Sequence, residues 1–335
     1  MSDTRDADLQ RASLTRKLTG IIDVHSHIIL DLGTGRDAGT GIPIEMMPPW
    51  SVESTLSLMD THGIAACVLS VPEAASSTES AKACEIARRT NESLAKIVAQ
   101  HPTRFGAMAT IPGRTMDGAL QEMAYALDTL KFEGVATPTN IDDVYLGDAR
   151  FDPWFEEMDR RGVTLFAHPT MTKASRPVDL GLHPSLLEFM FDTTRMLTNM
   201  VFSGAKKRFS QIKIISTHGG GTIPYLVTRL QTLEEVLGPG PDRTKLTAQE
   251  VKEGFASFYY DLTASTSSAQ LHALLQLVPV SHLLMGLDHP FMPISSFAPA
   301  ISDVERWEDF TDEDLSLLSH ENAAFLYPGV AERIR

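Results

Sequence analysis

The sequence predicts an α/β chain folded as a (β/α)8 barrel, and three observations carry that prediction. Short apolar runs alternate with amphipathic helical patterns along the chain, the signature of repeated βα units around a parallel sheet. Eight such runs can be counted, the number that closes this barrel. No G-x-G-x-x-G loop follows the first run, so the alternative, an open doubly wound sheet, lacks its usual phosphate-binding turn.

The elements follow in order. Residues 1–20 read as a polar tail, and residues 21–330 as a single barrel domain. Ile21–Ile28 is the first strand; its alternation places Asp23, His25 and His27 on one side. Leu30 to Trp50 is rich in Gly and Pro, carries Met46, Met47 and Trp50, and reads as a long loop insertion after strand one. Ser51 to His62 is a helix with Val52, Leu56 and Met59 on one face and Gly63 as its stop. Ala66–Val71 is strand two. Ser76-Ser77-Thr78-Glu79 reads as a capping box for the helix carrying Ala87, Leu94 and Val98. Gly106–Ile111 is strand three, Asp117–Leu130 a helix, Gly134–Pro138 strand four, Asp152–Arg161 a helix and Val163–Ala167 strand five. Pro169 to Pro184 is a second long insertion, polar and irregular. Lys213–Thr217, the helix Ile223–Leu237, and strands Phe258–Thr263 and Leu283–Gly286 complete the barrel. Both insertions follow strand C-termini, where barrel enzymes keep lids and substrate loops.

Composition narrows the function classes. Of 335 residues, 43% are hydrophobic, enough for a full core, and the net charge is −14. That charge argues against nucleic-acid or anionic-membrane binding, which needs clustered Lys and Arg. A small anionic substrate stays possible, because one metal ion and one arginine invert the potential locally. Cys67 and Cys84 are the two cysteines. Neither has a CxxC partner, so free thiols in a reducing compartment are expected. The polar start lacks the apolar core of a secretion signal, and no apolar stretch reaches membrane-spanning length. A cytoplasmic protein is expected.

In a barrel all strand C-termini open on one face, so residues distant in sequence converge there. Strand one carries His25 and His27 at its end, strand five leads into His168, strand six into His218 and strand eight into Asp288. Singly, each is explained by a hydrogen-bonded histidine or a helix-capping aspartate. Together, four imidazoles and a carboxylate on one rim suit a divalent ion that keeps an open coordination position.

Those residues lie in IDVHSH, LFAHPT, STHGGG and GLDHPF, which with HENAAFLYP resemble the amidohydrolase superfamily over Ile21 to Pro328. The branch is the one typified by aminocarboxymuconate-semialdehyde decarboxylase. WSVESTLSLMDTHGIAACVLSVPEA, FDTTRMLTNMVFSG and THGGGTIPYL are similar in texture to the 6-methylsalicylate decarboxylase-like group. The resemblance implies a metal-dependent hydrolase type of barrel, with His25, His27 and His168 as ligands. Asp288 would bind the metal or its water and transfer a proton; His218 would assist as acid, base or electrostatic partner. Strand four, EGVATPTN, offers no lysine at its end, which fits a mononuclear site. The chain departs from the pattern at Gly286-Leu287-Asp288-His289, where relatives carry a small hydroxyl residue before the aspartate and an aromatic ring after it.

Arg195 is a candidate second anchor for a substrate carboxylate; an ion pair with Glu188 or Asp192 explains it equally. Trp50 and His289 are further substrate-binding candidates. Asp23 reads as the partner that orients one histidine. His62, His101, His183, His272, His282 and His320 are assigned to structure or solvation. Two reactions fit the same residues. One is non-oxidative decarboxylation of a salicylate-like acid, the reading preferred. The other is hydrolysis of a lactone, ester or amide by metal-activated water. Three nitrogens and one carboxylate suit Zn2+ first and Mn2+ second. The branch also implies a homodimer or homotetramer.

Overall fold

The computed structural model describes residues 16–74, 79–170, 172, 180–239, 243 and 245–335. The barrel strands are β1 (Ile21–His27), β2 (Ile64–Ser70), β3 (Phe105–Thr110) and β4 (Gly134–Pro138). A small hairpin, β5 (Asn140–Ile141) and β6 (Val144–Tyr145), follows. The barrel resumes with β7 (Thr164–His168), β8 (Lys213–Ser216), β9 (Tyr259–Asp261) and β10 (Leu283–Leu284). All eight barrel strands run parallel in the order β1-β2-β3-β4-β7-β8-β9-β10. The barrel closes where the chain after β10 bonds β1: Val24 N–H donates to Met285 O at 3.0 Å, and Asp288 N–H to His25 O at 2.7 Å.

Parity along the strands divides the core into two layers. Ile22, Val24, Ala66, Val68, Met108, Ala136, Phe166, Ile215 and Leu284 pack inside the barrel, where Leu326, Tyr327 and Val330 near the C-terminus join them. The alternate residues, among them Cys67, Leu69, Ala107, Val135, Leu165 and Ile214, pack outward against the helices. Cys67 and Cys84 are both free. No helix among the described residues is long and apolar enough to cross a membrane.

The predicted strand order holds; several boundaries do not. β9 and β10 are shorter than expected. At β9, the Asp261 side chain takes the Thr263 N–H at 3.1 Å, removing a donor that a longer ladder would use. The predicted helix 117–130 is an α-helix only over Met116–Ala124 and continues as a wider π turn, Tyr125–Thr129. The hairpin β5–β6 was not anticipated, because two-residue strands have no periodicity to read. The Ser76–Glu79 capping box falls largely outside the described residues; the helix itself runs Ser80–Gln100.

The insertion after β1 is ordered by two aspartates. Asp31 accepts from the N–H groups of Gly33, Thr34 and Gly35, and buried Asp37 accepts from Leu30 and Thr40. The insertion after the fifth barrel strand is described only in part, with a short turn at Pro184–Leu186.

After β8 the run His218-Gly219-Gly220-Gly221 turns with positive φ at each residue. At Gly221 (φ +62°) an added Cβ would lie 2.2 Å from the Met190 carbonyl oxygen. That contact is backbone and cannot rotate away. Gly221→Ala is therefore expected to lower stability by about 1–3 kcal/mol. The measurement is the urea midpoint at unchanged slope; an unshifted midpoint would contradict it.

Candidate metal centre and active site

Four side chains meet inside the C-terminal mouth. One ligand atom from each of His25, His27, His168 and Asp288 lies within 4.8 Å of the others, and all four residues are buried. His25 and His27 end β1, His168 ends β7, and Asp288 follows β10 with φ +56°.

Hydrogen bonds define the protons of the first two. His25 Nδ1 stands 2.8 Å from Asp261 Oδ2, and His27 Nδ1 stands 3.2 Å from the Ser70 carbonyl oxygen. A carboxylate only accepts, so His25 carries its proton on Nδ1; the Ser70 carbonyl favours the same tautomer for His27, with the Ser70 hydroxyl, 3.1 Å from Nδ1, turned to donate to Ser26 O. Both Nε2 atoms then present lone pairs. They lie 3.1 Å apart, with Asp288 Oδ1 at 3.5 and 3.3 Å from them. Three acceptors converge with no proton between them, which is repulsive unless a cation joins them. Nitrogens bound about 2.1 Å from one ion and roughly at right angles would stand about 3 Å apart, close to the observed spacing. Asp288 Oδ1 is buried without a hydrogen-bond partner. A single divalent ion satisfies all these atoms.

The electrostatics agree. Burial opposes charge on His25, yet Asp261 and Asp288 raise its pKa, so that without a metal ion a proton takes the place of the cation. Burial would raise Asp288, but His25 and His27 hold it well below the usual carboxylate range. The centre therefore favours a positive charge between fixed carboxylates. His168 is driven far down, first by burial and then by the neighbouring imidazoles, which leaves it neutral and able to ligate.

His218 enters beside the cluster, its ring centroid 5.0 Å from that of His25 and 6.0 Å from that of His168. Its φ is +53°, and Asp261 Oδ1 accepts its N–H at 2.9 Å. Burial, helped by His25, lowers its pKa to about 4. The ring is neutral near pH 7, with Nε2 buried and unpartnered.

Several site residues escaped the sequence reading. Asp261 is the carboxylate bonded to His25 Nδ1. It lies in the C-terminal half of the seventh predicted strand and ends the observed β9, so attention to strand ends could have found it. Aromatic rings surround the cluster: Phe166 lies 5.0 Å from the His25 ring, Phe189 6.0 Å from His168 and Phe291 5.5 Å from His27. Phe291 is partly exposed at 41%. Glu73, just after β2, brings Oε1 to 3.9 Å from His168 Nδ1; burial raises its carboxyl to about 7.

Asp23 requires correction. Between Asp23 and Ser26, β1 advances three residues while β2 advances two, Cys67 to Leu69. This bulge switches parity. Asp23 faces outward toward Cys67, whose Sγ lies 3.9 Å away, whereas His25 faces inward against Phe166. Asp23 accepts the N–H groups of His25 and Leu287 at 3.0 and 3.1 Å. It joins the first strand to the eighth and touches no imidazole ring nitrogen. Burial raises its carboxyl to about 7.

The altered strand-eight motif is used for packing. Leu287 is buried in the outer core. His289 lies against Phe297, with Nε2 3.3 Å from Thr55 Oγ1. Because the Thr55 hydroxyl donates to Ser51 O at 2.9 Å, His289 is the donor and carries its proton on Nε2. The structure thus engages His289 with the helical layer. Trp50 is half-buried against the outer core. Arg195 is exposed on the Glu188–Phe202 helix. It lines an open cavity of about 1230 Å³ to which no cluster residue contributes. Its neighbours are Tyr145 and Asp192. Asp192 accepts from Thr139, from Asn140 at 3.0 Å and from Tyr145 at 2.9 Å. The structure does not bring Arg195 to the cluster.

Decarboxylase macB of Penicillium terrestre is 33% identical over 303 residues, covering 85% of this chain and 88% of that protein. The 6-methylsalicylic acid decarboxylase of Penicillium expansum is 30% identical over 299 residues, covering 86% and 90%. A dihydroxybenzoic acid decarboxylase from Polaromonas sp., solved with bound manganese and the inhibitor 2-nitroresorcinol, superposes with a TM-score of 0.79 at 23% identity. That alignment covers 92% of this chain and 97% of the other. Residues 22–329 match the amidohydrolase family, and the chain belongs to that family.

Proposed function

We propose that this protein is a metal-dependent, non-oxidative decarboxylase of a hydroxylated aromatic acid of the salicylate type. The reading rests on one observation: its full-length relatives at 30–33% identity are named as decarboxylases. The site suits the chemistry. Aromatic walls meet a cation-binding cluster, where a ring and its carboxylate can bind together.

A bound divalent ion would hold the carboxylate and an adjacent hydroxyl and stabilise developing negative charge. His25, His27, His168 and Asp288 would hold it. Phe189 and Phe291 restrict the ring to a narrow set of poses and keep water away. Asp288, held anionic, takes a proton from the substrate hydroxyl and passes it to the ring carbon bearing the carboxylate. The carbon–carbon bond then breaks, its electrons return to the ring, and carbon dioxide leaves. His218, neutral before reaction, exchanges a proton as charge builds nearby.

Turnover in deuterated buffer should place deuterium at the former carboxylate position. A hydrolase acting on a lactone would form no new carbon–hydrogen bond and leave the ring unlabelled. Carbon dioxide release from a panel of hydroxybenzoates is expected, without lactone opening; the reverse would discard the reading.

The donor set favours zinc, with manganese second. A homodimer or homotetramer is the expected assembly, closed symmetry being the rule for homo-oligomers. A monomer in sedimentation at micromolar concentration would contradict it. The free thiols are in keeping with a cytoplasmic location.

A further inference from the structure

We propose that Asp261 is a positioning residue that makes His25 a metal ligand by setting its tautomer. The inference rests on the metal-centre part of the reading above and on no feature of the reaction.

Asp261 ends β9 and is completely buried, as is His25. Its two oxygens have separate duties. Oδ1 accepts two backbone N–H groups, those of His218 at 2.9 Å and Thr263 at 3.1 Å. Oδ2 accepts His25 Nδ1–H at 2.8 Å. The first two protons are fixed, because a peptide nitrogen cannot pass its proton elsewhere. The third is mobile, since a neutral imidazole carries its proton on either nitrogen. Only with that proton on Nδ1 does Nε2 offer its lone pair to the cluster.

This asymmetry predicts an unusual order among variants. In Asp261→Asn the amide oxygen must face the two backbone N–H groups, because the amide nitrogen there would oppose two fixed donors. The amide nitrogen then faces His25 Nδ1. Two N–H groups cannot face each other, so the His25 proton moves to Nε2, pointing into the cluster where a lone pair is required. Asp261→Ala imposes no such reversal. His25 can keep its proton on Nδ1, where Thr263 Oγ1 at 3.2 Å can accept it. Metal affinity should therefore fall in the order wild type, alanine, asparagine. A merely structural Asp261 gives another order: isosteric asparagine is tolerated best, and alanine is worst because it leaves a cavity and unpaired donors.

The test is competition of each metal-free protein with a chelator for zinc at mildly alkaline pH, beside thermal unfolding of the same metal-free samples. Alanine is expected to lose about 10–100-fold in zinc affinity, and asparagine about tenfold or more beyond that. In unfolding, asparagine should be the more stable of the two, so the orders of stability and affinity cross. Asparagine binding zinc as tightly as alanine, or more tightly, overturns the proposal. Should either variant fail to fold, nitrogen-15 NMR of zinc-loaded wild type decides. Nε2 ligation by His25, with a proton on Nδ1 shared with Asp261, is expected; Nδ1 ligation overturns the proposal. Neither measurement involves substrate. An absence of decarboxylation would thus leave this result standing, and failure here would leave the assigned reaction untouched.

Discussion

Asp288→Asn should retain a bound divalent ion and lose turnover by about 10²–10⁴-fold, the usual worth of a positioned proton-transfer group. Two properties of Asp288 produce this expectation. Oδ1 faces both imidazole Nε2 atoms at 3.5 and 3.3 Å, so an amide oxygen in its place can still complete the cluster. The imidazoles also hold the carboxyl ionised through the neutral range, so it starts as an empty proton acceptor. An amide can neither take up that proton nor deliver it. The measurement pairs metal content with kcat for the variant. A metal-loaded variant with near-normal kcat would remove Asp288 from proton transfer. Loss of metal in proportion to activity would reduce it to a ligand.

The larger effect is expected from His25→Ala combined with His27→Ala. Untreated wild type should carry about one divalent ion per chain, as a mononuclear centre requires; the double variant should carry none and have no measurable activity. Both imidazoles are buried, and both are held by outer partners that leave Nε2 bare. Removing them leaves His168 and Asp288, too few ligands to displace water from the ion. The expected readouts are elemental analysis and the loss of metal-dependent thermal stabilisation, since a ligand that binds only the folded state raises its stability. Equal metal content in wild type and double variant would refute the centre.

Much of the active-site rim was legible before folding. His25, His27, His168, His218 and Asp288 each follow an apolar run, and a closed parallel barrel places all such ends on one face. The reading erred where it carried local regularity too far. Strict alternation set Asp23 beside His25, but the β1 bulge adds a residue and turns them to opposite faces. Arg195, read equally as a substrate anchor or an ion-pair partner of Glu188 or Asp192, stands beside Asp192 and faces a separate cavity. Leu287 and His289 depart from the family pattern, and only the structure shows that Leu287 packs in the outer core and that His289 bonds Thr55.

The sequence by itself determined the barrel, the strand order and the donor types at the mouth. These follow from periodicity and from which residue ends each run, both local properties of the chain. Tertiary structure alone decided which nitrogen of each imidazole carries a proton, which carboxylate holds it there, and which rings enclose the site. The reason is physical. A tautomer is set by a hydrogen-bond partner, and for His25 that partner is Asp261, 236 residues away along the chain. No local pattern encodes that distance; only closing the barrel brings the two together.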